Sequence, residues 1–173
     1  MRTAVISYSY TGNNNKLAAA LAAALGAEHI AIVPEELVTM NSIALDMLFG
    51  RTPAVKPDPA ALLQYDRVVL LAPAWMGKAA APIRAYLKQL KKRPMPYAFV
   101  TISGGSLNPN PRLPHDIAKR AGARPFAFET RYITNLLPKD PKPTPQQTSE
   151  FRLSDAQAAE LAGSIAKTIQ AKA

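Results

Sequence analysis

Three short segments of the sequence contain residue types suited to binding phosphate groups and flat ring systems. The first segment surrounds one glycine with hydroxyl and amide side chains, and its residues are Ser9, Tyr10, Thr11, Gly12, Asn13 and Asn14. It lies between a predicted strand and a predicted helix, where backbone N–H groups and the helix dipole attract anions. Helix capping is the ordinary use of such residues, but a cap needs only one of them. The segment therefore favours phosphate binding.

This segment differs from the two common nucleotide-binding motifs. It is not a Walker loop, because no Gly-Lys-Ser/Thr sequence follows it. It is not the G-x-G-x-x-G fingerprint of dinucleotide-binding proteins, because Gly12 is the only glycine in it.

The second and third segments also follow predicted strands. The second consists of Pro73, Ala74, Trp75, Met76 and Gly77, and Trp75 is the only tryptophan of the chain. A tryptophan at the end of a strand can stack on a flat ligand, or it can simply close the core. The third segment consists of Ser103, Gly104 and Gly105. Two glycines allow the backbone to approach a ligand closely, although by themselves they indicate only a turn.

Alternating strands and helices are predicted to hold these segments in place. Runs of apolar and β-branched residues predict five strands, at residues 3–9, 28–33, 67–73, 97–103 and 125–133. Helical spacing predicts helices at residues 17–25, 36–50, 83–90 and 114–121, and a final helix that follows the Ser154 capping box. This alternation indicates an α/β fold, a three-layer sandwich around a parallel sheet. Ligands of such sheets bind beyond the carboxyl ends of the strands, where the three segments lie.

Length and composition restrict the class of protein. With 173 residues, of which 48% are hydrophobic and 19% charged, the chain is predicted to form one globular domain, residues 1–173. Three proline-rich stretches, 51–59, 108–114 and 134–150, are predicted to lack regular structure. The absence of cysteine excludes thiol chemistry, and with two histidines we expect no metal site. We expect neither a signal peptide nor a membrane span, and hence a cytoplasmic protein.

Positive charge is concentrated in one part of the chain. The sequence has 21 Lys and Arg residues against 12 Asp and Glu residues, a formal net charge of +9. Residues 78–131 contain eleven of the basic residues and only two acidic ones, so this stretch accounts for the whole excess. Such asymmetry is typical of a surface that binds an acidic or phosphorylated partner, or of a solvated surface that keeps the protein soluble.

Taken together, the three segments resemble those of the flavodoxins. The flavodoxin phosphate loop has the form Ser/Thr-x-Thr-Gly-Asn-Thr, and residues 9–14 match it at every position but the last. The family's third strand is typically followed by Pro-x-Trp-x-Gly, which is present here at Pro73, Trp75 and Gly77. The glycine-rich turn at 103–105 is similar to the family's third flavin loop. The resemblance covers nearly the whole chain, except residues 36–60 and 134–150.

The resemblance implies a five-stranded sheet of order 2-1-3-4-5 and flavin mononucleotide (FMN) as cofactor. Ser9, Thr11 and the backbone N–H groups as far as Asn14 would hold the phosphate. Trp75 would stack on the isoalloxazine ring. Residues 74–77 and 103–105 would line the edges of that ring.

One departure from the family affects the expected function. Electron-carrier flavodoxins are acidic, whereas this chain is basic, and Lys78, Arg112 and His115 lie in or near the flavin-side loops. Positive charge near the flavin stabilises its reduced anionic form and favours two-electron chemistry. We therefore expect electron transfer by an oxidoreductase linked to NAD(P)H or to a quinone. Its redox partner, or its small-molecule electron donor or acceptor, is expected to be acidic or phosphorylated.

A second class of function stays open on the sequence alone. A flavodoxin-like domain without flavin chemistry could serve as a binding module that presents its basic face to a protein or a nucleic acid. Asn14 in place of the family's threonine favours this alternative, as does the missing aromatic residue in the third segment. The basic stretch lacks the aromatic-interleaved motifs of nucleic-acid readers, so nucleic acid is the less favoured partner.

Overall fold

The computed structural model describes residues 1–105 and 111–172. Its centre is a five-stranded sheet in which all neighbouring strands are parallel. In chain order these strands are β1 (Thr3–Ser7), β2 (Glu28–Ala31), β3 (Arg67–Leu71), β4 (Tyr97–Ser103) and β5 (Ala127–Tyr132). Their order across the sheet is 2-1-3-4-5. The predicted α/β sandwich and its topology are thus confirmed.

Helices flank the sheet in the described part of the chain. They are α1 (Asn13–Leu25), α2 (Met40–Phe49), α3 (Arg84–Lys92), α4 (Arg112–Ala121), α5 (Pro145–Glu150) and α6 (Asp155–Ala171), with 3-10 turns at Pro59–Gln64, Ala81–Ile83 and Ile133–Asn135. Helix α1 packs against α6 on one face of the sheet, and α3 packs against α4 on the other. This division follows from right-handed crossovers, because the connection from β1 to β2 runs opposite to the later ones.

The central strands are apolar along their whole length because successive side chains enter two different cores. Val5 and Val69, which are register partners on β1 and β3, belong to the core under α1 and α6. The next partners along the same strands, Ile6 and Leu70, belong to the core under α3 and α4. Both pairs are fully buried. A sheet covered on both faces therefore requires the unbroken apolar run found at residues 68–72.

Two short antiparallel ribbons interrupt the strand–helix alternation. One pairs Val33–Pro34 with Val55–Lys56, and the other pairs Ala74–Trp75 with Lys78–Ala79. Because Val33 and Pro34 belong to the first ribbon, β2 ends at Ala31 rather than at residue 33. The same ribbon places a short strand, Val55–Lys56, in the stretch 51–59 that was predicted to be a loop. Helix α2 begins at Met40 rather than at residue 36, because a capping box at Thr39 and Ser42 starts it there. Of the predicted 108–114 loop, residues 108–110 lie outside the described residues.

The prediction that residues 134–150 lack regular structure was wrong at both ends of the stretch, whereas residues 136–144 are in neither a helix nor a strand. The stretch begins inside a 3-10 turn and ends with α5, a six-residue helix. Thr144 and Gln147 form the capping box of α5, and Pro145 occupies its first turn. Both features are local helix-start signals that do not depend on hydrophobic periodicity. They are visible in the sequence, whereas a helix this short has no apolar period to detect.

Arg84 is a fully buried cation at the start of α3. Its guanidinium donates hydrogen bonds of 2.9 to 3.0 Å to the carbonyl oxygens of Ala79, Asp46 and Arg51, and contacts the Met47 sulfur. Burial lowers the pKa of Arg84 to about 10, so the side chain stays charged at neutral pH. Arg84 therefore joins the second ribbon, the end of α2 and the loop that follows α2 through hydrogen bonds from one side chain.

The described residues contain no helix that is both long and apolar enough to cross a membrane. Within the same ranges, no three His, Cys, Asp or Glu residues are grouped so that they could hold a metal ion.

Candidate functional site

The three segments singled out in the sequence converge at the carboxyl edge of the sheet, where they line two adjoining cavities. The smaller cavity, of about 200 Å³, is lined by residues from all three: Tyr10, Thr11 and Asn14 from the first, Pro73, Ala74 and Trp75 from the second, Ser103 and Gly104 from the third. The larger cavity, of about 1280 Å³, is lined by Ala74, Met76 and Gly77 and by residues 103–105. Ala74, Ser103, Gly104 and Thr148 line both cavities, so the two are neighbours.

The N-terminus of α1 lies beside the smaller cavity, and its N-cap residue has no side chain. This residue is Gly12, with a φ of 91° that favours glycine. In the first turn, the N–H of Asn14 donates to the Ser9 hydroxyl. In residues 1–105 and 111–172, nothing accepts from the backbone N–H groups of Thr11, Gly12 and Asn13. Helices α2, α5 and α6 all have capping boxes. Capping therefore accounts for Ser9 alone, and the N–H groups of Thr11, Gly12 and Asn13, which have no partner among the described residues, fit an anion.

The two asparagines of the first segment are buried and hold the loop in position. The Asn14 amide donates to the carbonyl of Ile102 at 2.9 Å and accepts from its N–H at 3.1 Å, so the side chain pairs with β4 as a strand would. The Asn13 amide donates to the Phe151 carbonyl and accepts from the Leu153 N–H, both at 2.9 Å. Both side chains are engaged with backbone groups of the protein, although Asn14 also lines the smaller cavity, and the donors without a partner among the described residues are backbone N–H groups and hydroxyls.

Ser9 and Thr11 supply the hydroxyl groups of this loop. The Ser9 hydroxyl accepts from the Asn14 N–H at 3.1 Å, and the Thr11 hydroxyl accepts from the Asn13 amide at 3.3 Å. In both cases the hydroxyl acts as an acceptor, so its own hydrogen remains for an anionic ligand. Lys16, just beyond the loop, forms an ion pair of 2.9 Å with the exposed Asp155, so it is directed to α6.

A part-buried polar network joins the end of β1 to the start of α1 and to β2. The Ser7 hydroxyl, fully buried at the end of β1, is 2.9 Å from the Asn15 amide oxygen and 2.8 Å from Nε2 of His29. Burial lowers the pKa of His29 below its usual value of 6.5. The neutral imidazole is therefore the form that this network favours.

We expect His29 to make the fold less stable as the pH falls from 7.5 to 5. Below about 6.5 the unfolded chain binds a proton that the native His29 resists, so the free energy of unfolding decreases with decreasing pH. Urea unfolding across this range should show a weaker pH dependence for His29→Gln. The matched control is His115→Gln, which changes the only other histidine, an exposed one. An unchanged pH dependence in His29→Gln would contradict the assignment.

Trp75 lies in the second ribbon, against two tyrosines. Its ring meets the rings of Tyr8 and Tyr10 edge-on, with centroids 5.9 Å and 6.3 Å away. Burial, with the nearby Tyr10 and Asp46, raises the pKa of Tyr8 to about 12, so this tyrosine is neutral. Trp75 is half-buried and lines the smaller cavity, which keeps both the stacking role and the core-closing role open.

The tip of the second ribbon is exposed and strained. Met76 has a φ of 49°, the only non-glycine residue with positive φ among those described, and Gly77 follows it with a φ of 76°. Two successive positive φ angles are the requirement of a two-residue hairpin turn. Met76 is 83% exposed and lines the larger cavity.

The third segment packs against the stretch that was predicted to be irregular. The Gly104 carbonyl accepts from the Thr134 N–H at 3.2 Å. A Cβ on Gly105, whose φ is 150°, would overlap the Thr134 side chain, and a Cβ on Gly104 would lie 3.2 Å from the Thr148 hydroxyl. The close backbone approach inferred from the two glycines is thus an approach to the protein's own threonines.

The stretch 134–148 forms one wall of the site, which sequence reasoning missed. Its members line the larger cavity: Thr134, Asn135, Lys139, Lys142, Pro143, Thr144, Pro145 and Thr148. Strand β5 supplies Phe128, Thr130 and Tyr132, which alternate along the strand and so share one face. That alternation was the signal available in the sequence for β5. For residues 134–148 the signal available in the sequence was the capping box at Thr144.

Comparison with known proteins identifies the fold. No protein-family model and no curated protein matches the chain. A flavoprotein of Lactobacillus acidophilus, solved in complex with FMN, matches it with a TM-score of 0.64 and 23% identity over 75% of this chain and 92% of its own. A chain described as a flavoprotein from Bacteroides eggerthii matches with a TM-score of 0.65 and 20% identity over 95% and 98% of the two chains. A WrbA-like flavodoxin of Agrobacterium tumefaciens matches with a TM-score of 0.51 and 17% identity over 99% of both.

Likenesses at these identities establish the fold. The chain has the flavodoxin-like fold, with the carboxyl edge of its sheet shaped by the three segments that carried the resemblance.

Proposed function

We propose that this protein binds FMN at the carboxyl edge of its sheet and transfers electrons through it. The observation that carries the proposal is the start of α1, where the N–H groups of Thr11, Gly12 and Asn13 have no partner among the described residues, beside a cavity lined by all three predicted segments. The flavodoxin-like fold supports it, as does the FMN bound to the similar L. acidophilus flavoprotein.

The residues present fit this cofactor. A phosphate needs several donors and no large side chain in its place, and the loop offers N–H groups at Thr11, Gly12 and Asn13 that have no partner among the described residues, with hydroxyls at Ser9 and Thr11. Trp75, which lines the smaller cavity, and residues 103–105, which line the larger one, would hold the rest of the cofactor. No lysine or arginine lines the smaller cavity among the described residues, so the phosphate would be held by hydrogen bonds and the dipole of α1.

Flavin supplies the capacity to accept and release one or two electrons. The chain's own residues decide how that capacity is used. Exposed Lys78, on the second ribbon, and Arg112, at the start of α4, line neither cavity. Among the described residues, Lys139 and Lys142 are the charged side chains that line the larger cavity, and their charge would stabilise the negative charge that flavin gains on reduction. We therefore propose an oxidoreductase linked to NAD(P)H or a quinone, rather than a one-electron carrier like the acidic flavodoxins.

Replacing Thr11 with valine tests the phosphate site directly. The substitution keeps the shape and removes one hydroxyl donor to a charged group, which is worth about 1.5–3 kcal/mol, or roughly 10- to 150-fold in the dissociation constant. FMN titration followed by Trp75 fluorescence should detect this loss, while the far-UV circular dichroism stays unchanged. Thr168→Val, on the distant helix α6, is the matched control. Equal FMN affinity in Thr11→Val and wild type would remove Thr11 from the phosphate site.

A basic cluster favours a second candidate function, binding of an acidic macromolecule. Helices α3 and α4 expose basic side chains at and beyond their carboxyl ends: Lys88, Lys91, Lys92, Arg93, Lys119 and Arg124. None of these forms an ion pair with another described residue. Because the helices run antiparallel to the strands, the cluster is at the edge of the sheet opposite to the cavities. A partner bound there would not contact the flavin.

A further inference from the structure

The larger cavity has room for more than the ring of one cofactor. Its volume is about 1280 Å³, whereas a pocket for a single drug-sized ligand has roughly 300–1,000 Å³. A flavin held by the three segments would contact the members of those segments that line this cavity, which are Ala74, Met76, Gly77 and residues 103–105. The remaining wall, formed by β5, α4 and residues 134–148, belongs to none of the three segments.

That remaining wall is apolar and partly aromatic. Leu113 from α4 and Phe128 and Tyr132 from β5 line it. The Phe128 ring is fixed by stacking on Phe99, with centroids 6.1 Å apart and planes 13° from parallel. A rigid apolar wall next to a flat cofactor is suited to a second flat molecule, because both faces of that molecule would be covered.

The rim of the same wall is positively charged. Lys139 and Lys142 are the charged side chains among the described lining residues, and no Asp or Glu lines the cavity there. Neither lysine forms an ion pair with a described residue. Asp140, between them in sequence, is exposed and does not line the cavity. Pro141 and Pro143 restrict the backbone on which the two lysines are carried.

We infer that the larger cavity binds a small aromatic anion, with its ring against Phe128 and Tyr132 and its carboxylate, sulfonate or phosphate group near Lys139 and Lys142. The inference rests on the proposed function for the role of this ligand, which would be the electron donor or acceptor next to the flavin. Binding itself requires only the cavity wall and the two lysines.

Calorimetric titration with two matched probes tests this site. Naphthalene-2-sulfonate is an aromatic anion, and naphthalene-2-sulfonamide is its neutral counterpart of nearly the same shape. We expect the sulfonate to bind about tenfold more tightly at low ionic strength, from two partly exposed charge contacts. Added salt should reduce that ratio. Equal affinities, or no binding of either probe, would overturn the inference.

Two double variants locate the charge effect. In Lys139→Gln/Lys142→Gln the ratio between the probes should fall to about one, while the affinity for the neutral sulfonamide stays unchanged. Lys88→Gln/Lys92→Gln removes the same charge from α3 and should keep the wild-type ratio. An equal loss in both variants would show a general field effect and contradict a site at Lys139 and Lys142.

The titrations are made with and without FMN, so that a failure of the proposed FMN function can be distinguished from a failure of the proposed anion site. A protein that never binds FMN, yet prefers the sulfonate through Lys139 and Lys142, refutes the proposed function and supports the anion site. A protein that binds FMN but does not distinguish the probes supports the proposed function and refutes the anion site.

Discussion

Arg84→Met is expected to lower the free energy of unfolding by about 2–5 kcal/mol, because it leaves three buried or part-buried carbonyl groups without the guanidinium donor. Methionine preserves the apolar stem but none of the hydrogen bonds to Ala79, Asp46 and Arg51. Urea unfolding measures the loss. Arg93→Met, at an exposed position just beyond α3, is the control and should change stability by no more than about 0.5 kcal/mol.

A lysine at position 84 separates the effect of charge from that of geometry. A lysine ammonium is a compact group that cannot span three carbonyls as a planar guanidinium does. Arg84→Lys should therefore be destabilised nearly as much as Arg84→Met. A lysine variant as stable as wild type would show that position 84 needs only a positive charge.

Asn14→Thr is expected to destabilise the protein although it restores the residue typical of flavodoxins. The threonine cannot pair with both the N–H and the carbonyl of Ile102, and each buried group left unpaired costs about 1–3 kcal/mol. FMN affinity should not increase, since the Asn14 amide already attaches residues 9–14 to β4 and its loss would loosen that attachment beside the smaller cavity. Asn41→Thr, at an exposed position in α2, is the matched control for urea unfolding.

A stable Asn14→Thr with a higher FMN affinity would reverse this interpretation. It would mean that the asparagine reduces phosphate binding in this chain, which is how the sequence alone presents it. In the structure, Asn14 has a different role, which is to attach residues 9–14 to β4.

The sheet and its order were predictable because the information is local or periodic. The unbroken apolar run at residues 68–72 indicates a strand covered on both faces, and Gly26 and Ser154 mark the end and start of helices. The positions of the three segments then follow from the rule that parallel strands share a carboxyl edge. Their convergence on two adjoining cavities agrees with that reasoning.

The partners of individual side chains were not predictable, because they depend on residues distant in sequence. Asn14 pairs with Ile102, 88 positions away, and the Asn13 amide accepts from Leu153, 140 positions away. From the sequence, Arg84 counts among the basic residues of the stretch 78–131, whereas in the structure it is fully buried and hydrogen-bonded to backbone carbonyls. Only the packing of α2 and the second ribbon around it reveals that role.

The wall formed by residues 134–148 was missed for a different reason. Hydrophobic periodicity does not detect a six-residue helix between prolines, but the Thr144–Gln147 capping box does. The placement of Lys139 and Lys142 at the cavity depends on how this stretch returns over the carboxyl edge, and no local signal encodes that path.

The preference between FMN and riboflavin tests the central claim most directly, because the two ligands differ only by the phosphate. Each is titrated into flavin-free protein while the emission of Trp75, the only tryptophan, is followed. We predict quenching of Trp75 by both flavins and binding of FMN at least about 100-fold tighter, from several hydrogen bonds to the charged phosphate at Ser9, Thr11 and the start of α1. Equal affinities for the two ligands, or no binding of either, would contradict the assignment of residues 9–14 as a phosphate site.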